Sequence, residues 1–311
     1  MGKLAFVFAG QGAQAVGMGK ELCANFKAAD DIYEQASGAL GFDVKDMIFN
    51  GDAETLMITE NTQPTIVTMS AAALAVLQEK GIKPDVVAGL SLGEYTAHVA
   101  SGSMSFEDAV RLVKKRGKYM QEEVPQGVGA MAAIIALEPD AVKAACEEAK
   151  AIGVCEPANF NCPGQIVVSG EKAAVDKCCE LCKAAGAKRA MPLAVSAPFH
   201  CSMLTGAGEK LAKELENVTV SKMNIPVITN VTADYIASEA DIKPLLVRQV
   251  SSSVLWEDSI RRMLSDGVDT FVEVGPGKAL SGFIKKITKE AAVYNVEDMA
   301  SLEKTVEGLG L

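Results

Sequence analysis

Val86-Val87-Ala88-Gly89-Leu90-Ser91-Leu92-Gly93-Glu94-Tyr95-Thr96-Ala97-His98-Val99-Ala100 reads as a short buried strand, a tight turn and a helix. The first three residues are apolar and partly β-branched, as a buried strand requires. From Glu94 onward the pattern is helical, with Glu94 in the first turn, where the helix dipole favours an acid. Glycines on both sides of Ser91 let the backbone turn sharply, so the hydroxyl stands above a helix N-terminus and the next N–H faces outward. That is the context of a nucleophile elbow. A plain glycine-rich connection in an α/β domain would carry the same residues, so the flanks and the rest of the chain must decide.

Outward from this turn, the same grammar recurs. Leu4-Ala5-Phe6-Val7-Phe8 runs into Gly10-Gln11-Gly12, and Thr270-Phe271-Val272-Glu273-Val274 runs into Gly275-Pro276-Gly277 and a helical Lys278–Ile287. Strand, glycine loop and helix in succession predict a parallel sheet covered by helices. Between 126 and 194 the pattern changes. Ala130–Leu137 and Val154–Asn161 are strand-like, Gln165–Ser169 follows a Pro163-Gly164 turn, and Arg189–Ala194 closes the stretch. Asp140–Ala151 and Glu171–Ala185 are helical between them, giving βαββαβ, the ferredoxin-like order. The expected architecture is an α/β body from residues 1–125 and 195–311, with an inserted ferredoxin-like subdomain at 126–194. An insert of this kind forms one wall of a cleft.

Composition narrows the class. The chain has 311 residues, 49% of them hydrophobic and 23% charged, which suits a globular protein with a sizeable core. No apolar run is long enough for a membrane span, and no secretory signal is visible, so a cytoplasmic protein without membrane contact is expected. A net charge of −10 argues against nucleic-acid binding. Eight cysteines show no disulfide spacing, and Cys179-x-x-Cys182 falls in a helical pattern beside Cys178, so these read as small core residues rather than a metal site.

A serine hydroxyl needs a base, most often histidine. The chain has two, His98 and His200. His98 lies seven residues beyond Ser91 in the same helix, about 10 Å along the axis and out of reach. A histidine serving Ser91 must then be His200, which closes the extended Leu193–Phe199. Gly10-Gln11-Gly12-Ala13-Gln14-Ala15 matches a dinucleotide fingerprint, but Gly17 and Gly19 interrupt the helix that should follow. A wide loop offering backbone N–H groups is the alternative. Arg116 flanks the apolar face of a helix capped by Ser105, where it can either clamp a carboxylate or snorkel to solvent.

Together these segments resemble the malonyl-CoA:acyl-carrier-protein transacylase family of fatty-acid synthesis. The likeness spans nearly the whole chain and rests on Gly10-Gln11-Gly12-Ala13-Gln14, Thr62-Gln63-Pro64, Gly89–Tyr95, Arg116-Gly117, Asn159-Phe160-Asn161, Ala197-Pro198-Phe199-His200, Gln249 and Gly275-Pro276-Gly277. The resemblance implies ping-pong acyl transfer from malonyl-CoA to the phosphopantetheine thiol of acyl-carrier protein, with no cofactor and no metal. It implies Ser91 as nucleophile, His200 as base, and the N–H groups of Gln11 and Leu92 as the oxyanion hole. Arg116 would hold the malonyl carboxylate, and a backbone carbonyl near Gln249 would orient the base. Gln63, Asn159, Asn161 and Phe199 are expected in the substrate site, and the enzyme is expected to act as a monomer. One departure is Leu90, where the family usually has histidine. A serine hydrolase acting on a carboxylate-bearing acyl thioester would use the same elbow and base. Lys188, Arg189, Lys285 and Lys286 are candidates for docking an acidic carrier protein.

Overall fold

The computed structural model describes residues 2–125, 127–195 and 197–311. Among them nine strands follow in chain order: β1 (Lys3–Phe8), β2 (Val86–Gly89), β3 (Gly129–Ile135), β4 (Cys155–Cys162), β5 (Gln165–Glu171), β6 (Arg189–Pro192), β7 (Val227–Ile228), β8 (Val268–Val274) and β9 (Ala292–Val296). Five form a sheet in the order β7-β2-β1-β8-β9, with every neighbouring pair parallel. The remaining four form an antiparallel sheet in the order β4-β5-β3-β6. Helices Pro139–Ala149 and Lys172–Ala184 make the crossovers of this second sheet, completing βαββαβ. The α/β class and the ferredoxin-like order expected from the sequence are both present. Gln126 and Ser196, at the expected start of the insert and within the expected extended segment, lie outside the described residues.

Side-chain alternation explains how each sheet is held. In β1, Phe6 and Phe8 enter the large core while Ala5 and Val7 face a second cluster with Trp256 and Phe271. Both faces are therefore dry, as a parallel sheet wrapped by helices must be. Full burial of Phe6 and Phe8 contributes about 2–3 kcal/mol each. The antiparallel sheet also uses two faces. Ala132, Ile134, Ile166 and Val168 pack under its own helices, whereas Met131, Ala133 and Val167 join the large core. Cys178, Cys179 and Cys182 are buried in the smaller core, where Cys178 Sγ lies 3.7 Å from Cys146 Sγ.

The two sheets are also tied through the backbone. Phe160 N–H donates to Val254 O at 2.9 Å, and Val254 N–H donates to Ala158 O at 2.8 Å. Ser253 Oγ adds a bond to Pro157 O at 2.6 Å. The edge strand β4 is thereby anchored to the segment that follows helix Ile242–Gln249. No helix among the described residues is long and apolar enough to cross a membrane.

Candidate active site

Ser91 sits at the end of β2, immediately before helix Gly93–Ser101. Its φ is 53°, a left-handed conformation that a non-glycine residue adopts only when its surroundings hold it there. The flanking glycines are required by close approach. A Cβ on Gly89 would lie 1.9 Å from the Gly93 carbonyl carbon, and one on Gly93 would lie 2.1 Å from Phe8 O. A glycine-rich connection with no chemistry would not need a strained serine between them.

Ser91 Oγ lies 2.6 Å from His200 Nε2. His200 Nδ1 lies 3.0 Å from the backbone oxygen of Gln249. A carbonyl can only accept, so Nδ1 carries the proton and Nε2 presents its lone pair to the hydroxyl. Burial, with the Arg116 charge second, pulls the His200 pKa down from 6.5 to about 4. The imidazole is therefore neutral at physiological pH. His200 is itself left-handed, with φ 61°. His98 is buried elsewhere, with Nδ1 2.9 Å from Ser103 Oγ.

Arg116 does not snorkel. It is 2% exposed, on helix Phe106–Glu123, and reaches Ser91. Nη2 donates to Ser91 Oγ at 3.2 Å and to Gln249 Oε1 at 3.1 Å, and Nη1 donates to Gln63 Oε1 at 3.0 Å. Its guanidinium carbon lies 5.4 Å from the Tyr95 ring centroid. Burial lowers its pKa from the ordinary arginine value, an effect opposed by nearby Tyr95 and Glu94.

These groups face a cleft of about 1100 Å³, lined by the loop Ala9–Gln14, by Leu90, Ser91, Arg116 and His200, and across from them by Asn159, Asn161 and Phe199. Leu90, the departure noted above, is part of this wall. The loop after β1 stays open as far as helix Lys20–Asn25, with Gly17 and Gly19 at φ 84° and 77°. The dinucleotide fingerprint therefore has no helix to open. Among the described residues, neither the Gln11 nor the Leu92 N–H has an acceptor. Gln63 departs from its expected place. It is fully buried and stands behind Arg116 rather than on the cleft wall. Its amide oxygen is spent on the arginine, while Nε2 donates to Gln11 Oε1 at 3.4 Å.

Two residues here escaped the sequence reading. Asn230 Oδ1 accepts from Ser91 N–H at 2.5 Å, and its Nδ2 donates to Gly89 O at 2.6 Å, so one side chain splints both sides of the elbow. Glu94, expected only to favour the helix dipole, is fully buried, and its Oε2 accepts from Asn230 N–H at 3.0 Å and Gln249 Nε2 at 2.8 Å. Neither is visible in one sequence, because both act through partners more than a hundred residues away. The sequence offered only an acid in the first turn of the helix, with nothing to show that it would be buried.

A strained serine after a parallel strand, with a neutral histidine at 2.6 Å and a cleft in front of both, is an arrangement that can support nucleophilic chemistry in an α/β fold. Residues 5–308 match the model of the acyl transferase domain, and the chain belongs to that family of acyltransferases. It is 46% identical to the malonyl CoA-acyl carrier protein transacylase of Bacillus subtilis over 310 residues, covering 99% of this chain and 98% of the relative. The crystal structure of malonyl CoA-acyl carrier protein transacylase from Clostridium perfringens superposes with a TM-score of 0.97 at 49% identity, covering 99% and 97% of the two chains. A malonyl-transacylase solved in complex with its type II PKS acyl-carrier protein matches with a TM-score of 0.96 at 42% identity, over 98% and 99%.

Proposed function

We propose that this acyltransferase carries a malonyl group from malonyl-CoA to the phosphopantetheine thiol of an acyl-carrier protein, by way of an ester on Ser91. The observation that supports it most is the buried Arg116 guanidinium 3.2 Å from the reacting oxygen. A fixed cation there favours an acyl group with a free carboxylate over one without.

Each half-reaction follows from the hydrogen-bond directions. Ser91 Oγ adds to the thioester carbonyl while its proton passes to His200 Nε2. Charge builds on the carbonyl oxygen, where the N–H groups of Gln11 and Leu92 receive it. The Gln249 carbonyl, bonded to Nδ1, steadies the imidazolium. Collapse breaks the C–S bond, and the imidazolium returns its proton to the departing CoA sulfur. The carrier thiol then gives its proton to Nε2, its sulfur attacks the seryl ester, and Oγ leaves with that proton. Arg116 exchanges its bond to Ser91 Oγ for the malonyl carboxylate. Asn159, Asn161 and Phe199 line the space for the acyl group and its carrier arm, with Gln63 holding Arg116 from behind.

The acidic carrier protein is read to dock on Lys188, Arg189, Lys285 and Lys286, all exposed. Ile135 pairs with both Arg189 and Gln165, and Lys286 Nζ lies 3.4 Å from Gln165 Oε1, so the cations share one end of the antiparallel sheet. In this reading residues 126–194 are an inserted subdomain on a body of 1–125 and 195–311, and the enzyme works as a monomer in the cytoplasm. Eight free thiols suit a reducing compartment.

Intact-mass spectrometry tests the reading. Malonyl-CoA should add a malonyl group at Ser91, and phosphopantetheinylated carrier protein should then remove it and gain the same mass. Release of free malonate without transfer would instead mean a hydrolase. No adduct and no CoA release would end the proposal.

A further inference from the structure

Gln249 is the junction of the site. Its backbone oxygen holds His200, its Nε2 donates to Ser91 O at 3.0 Å and to Glu94 Oε2 at 2.8 Å, and its Oε1 accepts from Arg116 Nη2 at 3.1 Å. Arg116 can only donate, and Glu94 Oε2 accepts from both the Gln249 amide and the Asn230 N–H, bonds that together with the Arg116 charge favour the carboxylate against the burial that raises its pKa. The two ends therefore dictate one orientation of the amide between them, oxygen toward the arginine and nitrogen toward the acid. All three side chains are almost fully buried, so no solvent competes for these bonds. Glu94 also accepts the backbone N–H of Asn230, whose side chain splints Ser91.

We propose that Glu94 is a positioning residue for acyl selection: through the Gln249 amide it orients Arg116 toward the acyl carboxylate, so that its negative charge, not merely its shape, sets the preference for malonyl over acetyl groups. This inference rests on the malonyl-transfer reading given above. With glutamine at position 94, Ser91 O and Arg116 still fix which way the Gln249 amide faces, but Nε2 loses its charge-assisted acceptor. The amide is then held less firmly, and so is the guanidinium that it keeps beside Ser91 Oγ.

Two variants separate charge from shape. Glu94→Gln keeps the side-chain volume and loses the charge, whereas Glu94→Asp keeps the charge and shortens the reach. The rates of Ser91 acylation by malonyl-CoA and acetyl-CoA are compared for each by quenched intact-mass measurement, alongside thermal melting. The expected result is a malonyl-to-acetyl ratio lowered roughly tenfold to a hundredfold in Glu94→Gln, the range spanned by one charge-assisted hydrogen bond. Glu94→Asp should stay nearer the wild-type ratio even if it melts lower. The opposite ranking, with Glu94→Gln unchanged in ratio and Glu94→Asp impaired, would mean that Glu94 only fills space and would overturn the proposal. If Glu94→Gln does not fold, Gln249→Met serves. It keeps the carbonyl for His200 but breaks the relay at its centre, so an unaltered ratio would again refute the idea. Failure of the underlying reading looks different, since wild-type enzyme would then show no malonyl preference in the same assay.

Discussion

Replacing Asn230 with alanine should do more damage than the loss of one ordinary hydrogen bond. The side chain meets Ser91 N–H at 2.5 Å and Gly89 O at 2.6 Å, and both backbone groups are buried. Truncation leaves a donor and an acceptor unpaired at once. Each such orphan costs about 1–3 kcal/mol, so Asn230→Ala should lose about 2–6 kcal/mol of stability. The backbone bond from Asn230 N–H to Glu94 is unaffected, which confines the effect to the elbow. Ser91 also sits at φ 53°, and without its splint the residue can relax toward common backbone angles. A shift of about 1 Å in Oγ would slow acylation roughly a hundredfold. Urea unfolding followed by circular dichroism gives the stability, and quenched-flow mass spectrometry with malonyl-CoA gives the acylation rate. Asn230→Asp, which keeps an acceptor for Ser91 N–H, should recover part of the rate. A stability loss below about 1 kcal/mol with an unchanged acylation rate would refute the reasoning and show that the turn holds itself.

Four further outcomes follow from the same geometry. His200 must be neutral to accept the serine proton, and its pKa is lowered from 6.5 to about 4, so acylation should persist below the usual histidine range and fail only as pH falls through about 4. Replacing Arg116 with alanine removes a charge that disfavours the imidazolium, so the acid limb of that pH profile should move upward; no movement would mean the charge is not felt at the ring. In the same variant the malonyl-to-acetyl ratio should fall by about two orders of magnitude, measured by competition between the two thioesters, and an unchanged ratio would remove the carboxylate role. Gly93→Ala would place a methyl 2.1 Å from Phe8 O, a backbone atom that cannot step aside, so this variant should melt well below wild type or fail to accumulate.

The parts legible in the sequence were those written locally. Strand, glycine loop and helix around Ser91 are contiguous, and the glycines are needed because their neighbours leave no room for a Cβ. His200 was singled out by elimination, since His98 lies inside the helix that begins two residues after Ser91 and is carried away from it. The βαββαβ order was likewise readable from turns and periodicity. What stayed hidden depends on distant pairing. Arg116 read by itself as an arginine reaching solvent, because its burial comes with partners, Gln63 and Gln249, on other helices. Gln63 carried a family motif but no hint that it would stand behind the arginine. Asn230 and Glu94 act across more than a hundred residues of chain, and periodicity says nothing about such contacts.

Both residues of the proposed reacting pair, Ser91 and His200, occupy left-handed backbone that glycine adopts without steric penalty. Glycine at either position would relieve strain of about 1 kcal/mol or more while abolishing the chemistry. A population of variants screened only for surviving heat would therefore drift toward inactive sequences at these two sites. Thermal robustness and turnover pull against each other at the very atoms that react. Anyone hardening this enzyme for use should hold both positions fixed and look for gains elsewhere in the chain.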